Sequence, residues 1–128
     1  MNIETKLLAD SVNPMGVRLT SMLFTYPRIV HAELMTHRVL SRNASSSRAI
    51  PVSKMIERVS NDPALPEYWG ANRPGMQAAE ELPTEVQDTA RWLWIKASED
   101  AVLHAEKFAR LGVHKQLANR FLEPFSRI

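Results

Sequence analysis

One long amphipathic pattern, which covers residues 83–111, constrains the fold of this chain more than any other feature. Apolar residues recur there at intervals of three and four, and Gly112 stands where helices commonly end. Thr84 and Gln87 have the spacing of a capping box. The pattern predicts a single helix, roughly 40 Å long at about 1.5 Å per residue. Its predicted apolar stripe consists of Val86, Ala90, Leu93, Ala97, Ala101, Phe108 and Leu111.

The predicted helix also has apolar residues on a second side. Trp92, Trp94, Ile95 and Val102 lie off the main stripe. A helix of this length exceeds what a domain of 128 residues needs for its own core, so the second side indicates contact with another subunit. Burial on two sides within one subunit explains the same pattern.

Shorter patterns around this helix predict an α+β domain. Residues 17–25 are rich in strand-forming side chains and predict a strand with two partly buried faces. Residues 27–36 and 52–59 have helical spacing and follow or begin at prolines. Residues 113–122 predict a last helix, with Leu117 on its apolar side and Pro124 beyond its end. We expect one domain over residues 1–128, in which a small antiparallel sheet packs with the long helix and shorter helices.

Residues 60–82 lack periodicity and contain several turn-forming residues, which predicts a long loop. The large side chains of Tyr68, Trp69 and Met76 could cover a ligand or a neighbouring subunit. A surface loop that places one aromatic ring on the core accounts for them equally well.

Composition excludes several classes of function. The chain contains no cysteine, which rules out disulfides, thiolate metal sites and a cysteine nucleophile. His31 and His37 are six positions apart without a cluster of acidic residues nearby, so we predict no metal site. No run of about 18 apolar residues and no secretory leader are present, so we expect a cytoplasmic protein without a membrane anchor. A net charge of +2 favours small anionic ligands over nucleic acid.

Residues 37–48 form a polar segment between apolar neighbours. Nine of its twelve side chains are polar, and they include basic groups and serine hydroxyls. Such groups bind phosphate oxygens through charge-assisted hydrogen bonds, which predicts an anion or nucleotide site. The alternative is a solvated network in which Arg38 and Arg48 pair with Glu33 or Glu57.

The spacing within this segment resembles the signature of the flavin-dependent thymidylate synthases. Arg38 is followed by Ser46 and Arg48 at the family's intervals, with Ser41 and Asn43 between them. Residues 26–51 as a whole are similar to the phage-type branch. Residues 72–77 resemble its Gly-Met-Gln loop, and residues 120–124 resemble its Arg-x-x-x-Pro motif.

This resemblance implies the fold of the thymidylate synthase-complementing proteins and a specific reaction. Members transfer a methylene group from methylenetetrahydrofolate to dUMP, with FAD as the cofactor and NADPH as the reductant. They are cytoplasmic homotetramers with sites at subunit boundaries, so the resemblance implies a homo-oligomer.

The resemblance also implies roles for individual residues. The predicted cofactor-binding residues are His37, Arg38 and Asn43. The predicted substrate-binding residues are Glu33, Ser45, Ser46, Ser47, Arg48 and Arg120, of which Ser46 and Arg48 are the predicted catalytic residues.

The chain departs from the family at three positions of the signature. Thr36 replaces the first arginine of the family's Arg-His-Arg triplet, and Ala44 and Ala49 replace a common glutamate and tyrosine. The family also continues for some tens of residues beyond the position of Ile128, which suggests a C-terminally truncated member. These departures leave open a second interpretation, a non-catalytic module of this fold that binds a nucleotide or a protein.

Overall fold

The computed structural model describes residues 3–128 and has the predicted α+β composition. An antiparallel pair of strands precedes four helices, one of them long. In chain order the elements are β1 (Glu4–Val12), β2 (Arg18–Thr25), a 3₁₀ turn (Arg28–Val30), α1 (His31–Met35), α2 (Val52–Asn61), α3 (Thr84–Arg110), α4 (Lys115–Ala118) and two further 3₁₀ turns (Asn119–Phe121 and Glu123–Phe125). Within residues 3–128, no helix combines the length and apolar character that crossing a bilayer requires.

β1 and β2 form a hairpin closed by a compact turn. The Asn13 side chain accepts hydrogen bonds from the backbone N–H groups of Met15 and Val17, both at 2.9 Å. Gly16 adopts a φ of 81°, a conformation that glycine tolerates without steric cost. Across the strands, Asp10 accepts hydrogen bonds from Arg18, and this contact lowers the pKa of the Asp10 carboxyl below its ordinary value.

The hairpin is exposed on both faces. The predicted strand over residues 17–25 is confirmed as β2, but its predicted partial burial is wrong, since Leu19 is 69% exposed and only Thr25 is half-buried. β1 was not predicted because its apolar residues, Leu7 and Leu8, are adjacent rather than alternating. The strand pairing is correspondingly irregular between Leu7 and Ala9.

α3 confirms the predicted long helix, but its buried face differs from the predicted stripe. Leu93, at the centre of that stripe, is 56% exposed. The buried or half-buried positions recur at intervals of three and four and carry small residues near the centre. They are Gln87, Ala90, Trp94, Ser98, Ala101, Ala105 and Phe108, and Ile95, Val102 and Glu106 beside them are also half-buried. The predicted stripe is therefore correct only at Ala90, Ala101 and Phe108, while Ser98 and Ala105, which were not predicted, are buried.

The predicted capping box is also wrong. α3 begins at Thr84 with Pro83 as its N-cap residue, and no side chain caps it. Gln87 instead donates a hydrogen bond of 2.7 Å from Nε2 to the carbonyl oxygen of Leu82.

The core lies where α2 and the C-terminal segment pack on α3. Met55 and Val59 of α2 contact Ala105 of α3 and Leu122 in a buried cluster. The predicted helix over residues 52–59 is therefore confirmed and extends to Asn61.

The predicted final helix is shorter than expected and has a different buried face. It is α-helical only over Lys115–Ala118 and continues as 3₁₀ turns. Leu117 is 56% exposed, while Ala118 and Leu122 are fully buried. Pro124 lies inside the last 3₁₀ turn. The chain then runs antiparallel to the end of β2, where the backbones of Tyr26 and Ile128 exchange two hydrogen bonds.

The predicted loop over residues 60–82 is confirmed from residue 62 onward, and one of its aromatic rings reaches the core. Trp69 packs edge-on against Trp94 with ring centroids 6.2 Å apart. Tyr68 and Met76 are exposed. An isolated bridge between Gly70 and Glu81 closes the loop on itself.

Candidate functional site

The polar segment divides into two parts with different environments. We call residues 37–45 the open segment and residues 46–50 the anchored loop. The open segment is exposed throughout and contains no helix or strand. The anchored loop begins the approach to α2 and contains the buried residue Ser47.

Arg42 gives the open segment its internal structure. Its guanidinium turns back to the end of α1 and donates to the carbonyl oxygens of Met35, at 2.5 Å, and His37, at 2.8 Å. A helix end leaves such carbonyls without partners, so Arg42 acts as a cap for α1. Thr36, at the position of the family's first arginine, donates its hydroxyl to the carbonyl oxygen of Glu33.

The predicted cofactor-binding residues in the open segment present free side chains. His37, Arg38 and Asn43 are exposed, and none makes a side-chain hydrogen bond or ion pair within residues 3–128. The same holds for Glu33 and Arg48. The alternative ion pairs of Arg38 or Arg48 with Glu33 or Glu57 are absent from this described part of the chain, so that expectation is wrong.

The anchored loop is tied to residues much later in the sequence. Asn119, which is fully buried, donates from Nδ2 to the carbonyl oxygens of Ser47, at 2.6 Å, and Ile50, at 2.9 Å. Lys115 donates to the carbonyl oxygen of Ala49 at 3.1 Å. These bonds fix the backbone on both sides of Arg48, whose side chain remains exposed.

A second tie connects the anchored loop with Arg120 through Glu123. The Ser47 hydroxyl, which is 2% exposed, donates to one carboxylate oxygen of Glu123. Arg120 donates from Nη1 to both oxygens of the same carboxylate, each at 3.1 Å. Of the predicted substrate-binding residues, Ser47 and Arg120 are thus brought together, with Ser46 and Arg48 flanking Ser47. Within residues 3–128, the side chains of Glu33 and Ser45 make no hydrogen bond or ion pair with this group.

Arg28, in the 3₁₀ turn before α1, completes the cluster. Its Nε lies 3.7 Å from Glu123 Oε1. Arg28 and Glu123 also line a cleft of about 350 Å³ together with His31. Burial raises the pKa of the adjacent Tyr26 phenol, whose oxygen lies 2.7 Å from His31 Nδ1.

Sequence reasoning missed the residues that build this cluster, namely Arg28, Lys115, Asn119 and Glu123. Asn119 gave no local signal, because in a helix it lies about 200° from Leu117, away from the predicted apolar side. Its Oδ1 atom is buried without a hydrogen-bond partner in the described residues. The bonds of Asn119 and Glu123 to Ser47 span 72 and 76 positions, which no local pattern records.

The other features of the described structure indicate no metal site. Within the described part of the chain, no three histidine, aspartate or glutamate side chains are grouped as a metal ion would require. A further cavity of about 390 Å³, lined by Arg58, Asp62 and Arg127 among others, contains none of the predicted site residues.

Comparisons with protein-family models, curated proteins and solved structures found no match.

Proposed function

We propose that the protein is an FAD-dependent thymidylate synthase, which converts dUMP to dTMP with methylenetetrahydrofolate and NADPH. One observation carries the proposal. The Glu123 carboxylate binds both Ser47 and Arg120, which belong to the two separate motifs that the resemblance assigns to dUMP. Two motifs that are distant in sequence therefore meet at one cluster, as a common ligand requires.

In this proposal the anchored loop and Arg120 bind the nucleotide. Arg48 and Arg120 supply positive charge and planar N–H donors, which suit a phosphate monoester. Ser46 supplies a hydroxyl next to the fixed backbone of Ser47. Since Asn119 and Lys115 hold this backbone through its carbonyl oxygens, the loop is organised before a ligand arrives.

The open segment fits a role in binding the FAD diphosphate. Arg38, His37 and Asn43 offer donors that no protein group uses within residues 3–128. When bound and reduced by NADPH, the flavin would supply the hydride that completes the methyl group. The residues of the open segment contribute binding and orientation, and their exposure leaves one side of the site to be closed by another subunit.

We propose a homo-oligomer for this reason, and a tetramer in the cytoplasm because the resemblance implies it. The exposed apolar side chains of the hairpin and of Trp92 and Leu93 on α3 support association, because exposed apolar surface of this kind commonly marks an interface. Mass measurement in solution tests this part independently of catalysis, and a monomer at micromolar concentration would contradict it.

Two measurements on the purified chain test the function. We expect a flavin absorbance spectrum after incubation with FAD and gel filtration. We also expect tritium release from C5-tritiated dUMP that requires methylenetetrahydrofolate and NADPH. Protein that binds neither FAD nor dUMP would contradict the proposal.

The second candidate is a non-catalytic nucleotide- or protein-binding module of this fold. The contact of Thr36 favours it, because this hydroxyl is committed to the Glu33 carbonyl and cannot replace an arginine as a ligand. Binding of dUMP without any tritium release would support this candidate, and turnover would exclude it.

A further inference from the structure

Glu123 is the residue at which three separate parts of the fold meet. Its carboxylate accepts hydrogen bonds from Ser47 in the anchored loop and Arg120 in the C-terminal segment, and it lies 3.7 Å from the guanidinium of Arg28. The side chains of Glu123 and Arg28 are 20% and 19% exposed. Ion pairs that are partly withdrawn from water are screened less than surface pairs and hold their partners in a defined geometry.

The contact with Arg120 uses only one end of the guanidinium. Both hydrogen bonds to Glu123 come from Nη1. The Nε and Nη2 atoms make no hydrogen bond within residues 3–128, and the side chain is 56% exposed. These two nitrogens form one edge of the planar fork, which can donate two parallel hydrogen bonds to a phosphate or carboxylate.

The charges of the cluster leave it suited to an anion. Arg28 and Arg120 carry two positive charges against the single negative charge of Glu123. Glu123 therefore orients Arg120 without cancelling the positive charge around it. The same carboxylate fixes the Ser47 hydroxyl and hence the position of Ser46 and Arg48.

We infer that Glu123 is a positioning residue for the nucleotide phosphate, which holds the Nε and Nη2 edge of Arg120 beside the anchored loop. This inference rests on the proposed function and adds to it a residue and a ligand group. Glu123 does not contact the phosphate itself, since like charges would repel, and it acts on the phosphate through Arg120.

A double-mutant cycle in dUMP binding tests the inference. E123Q keeps the shape of the side chain but replaces the charged acceptor with a neutral amide, so Arg120 loses its charge-assisted anchor. R120K keeps the charge but removes the fork. Each variant should weaken dUMP binding, measured by calorimetry, by roughly tenfold or more, the range of one charge-assisted hydrogen bond. Because both act on one contact, the double variant should bind about as weakly as either single variant.

A matched control separates positioning from general stability. E106Q removes the same kind of pair, since Glu106 and Arg110 form an exposed glutamate–arginine contact on α3, 3.4 Å apart and outside the cluster. E106Q should leave dUMP affinity within twofold of the wild type. In turnover assays E123Q should raise KM for dUMP and change kcat by less than threefold. E123D, which restores the charge, should recover part of the affinity.

The outcomes distinguish this inference from the proposed function. A wild-type chain that does not bind dUMP refutes the function. A wild-type chain that binds dUMP while E123Q binds it equally well refutes the inference alone. Losses in E123Q and R120K that multiply in the double variant also overturn it, because Glu123 would then act independently of Arg120. If E123Q does not fold, unchanged dUMP affinity in R120K overturns the inference by itself.

Discussion

The open segment and the anchored loop are adjacent in sequence and similar in composition, yet only the anchored loop is tied to the body of the protein. Its carbonyl groups and one hydroxyl bind Asn119, Lys115 and Glu123. Within residues 3–128, the open segment makes hydrogen bonds only to itself and to the end of α1, through Arg42 and the backbone N–H of His37. Whether a hydroxyl or basic side chain here has a structural role or stays free for a ligand therefore depends on its partners. Those partners come from the C-terminal part of the chain.

This difference suggests how the two proposed ligands would bind. The anchored loop is held in place without a ligand, so nucleotide binding there requires little reorganisation. The open segment has exposed side chains and few fixed contacts, so a cofactor or a second subunit would order it at an entropic cost. Matched substitutions, one in each region, test whether the two regions differ in this way.

Substitution of Asn119 should have the largest effect. N119A removes the donor for two carbonyl oxygens in a fully buried position. We expect the free energy of unfolding in urea to fall by about 2–4 kcal/mol, because buried acceptors without partners are costly. The matched variant N43A in the open segment should change it by less than about 0.5 kcal/mol. Equal losses in both variants would abolish the distinction between the regions.

Substitution of Ser47 should have the next largest effect. S47A removes the hydrogen bond to the Glu123 carboxylate and should lower the free energy of unfolding by about 1.5 kcal/mol, as expected for a bond to a charged group. S45A, two positions earlier and exposed, should leave it within about 0.5 kcal/mol of the wild type. An unchanged free energy of unfolding in S47A would mean that the arginine partners of Glu123 compensate for the lost hydrogen bond.

Substitution of Arg38 should affect a ligand rather than stability. R38A should leave the urea midpoint unchanged, because the exposed guanidinium has no protein partner within residues 3–128. We expect FAD affinity, measured by quenching of flavin fluorescence, to fall by about tenfold, in the range of one charge-assisted hydrogen bond. A destabilised R38A, or unchanged FAD affinity, would count against the open segment as the cofactor region.

Substitution of Arg42 should have a smaller effect on stability than substitution of Asn119 or Ser47. R42A removes the cap from the end of α1 and should lower the free energy of unfolding by about 0.5–1 kcal/mol. The change should be local, with faster amide exchange in α1 and unchanged exchange in α2. Faster exchange in the anchored loop would show that the two regions are coupled.

The sequence predicted the elements whose patterns are local. α2, α3 and β2 were located because helical spacing and strand-forming residues appear within the elements themselves. The buried face of α3 was predicted only in part, because Ser98 and Ala105 also lie there and their small size matters only once the neighbouring helix is known. β1 was not predicted because its apolar residues do not alternate with polar ones.

The candidate site could be predicted only in part for a related reason. The family resemblance identified residues of the polar segment and Arg120 individually. It gave no information on which residues connect them. Asn119 and Glu123 form that connection through contacts 72 and 76 positions apart. Such contacts depend on how the C-terminal segment packs on α3, which follows from the fold as a whole.

The exposure of the hairpin has a consequence for how the molecule unfolds. A two-stranded hairpin without a packed face is marginally stable in water, and its strands are covered by neither the helices nor the loops. Its opening is therefore separate from the cooperative unfolding of the helices. Amide hydrogens of β1 should exchange through small local openings, while those of α2 and α3 exchange only when the core itself opens.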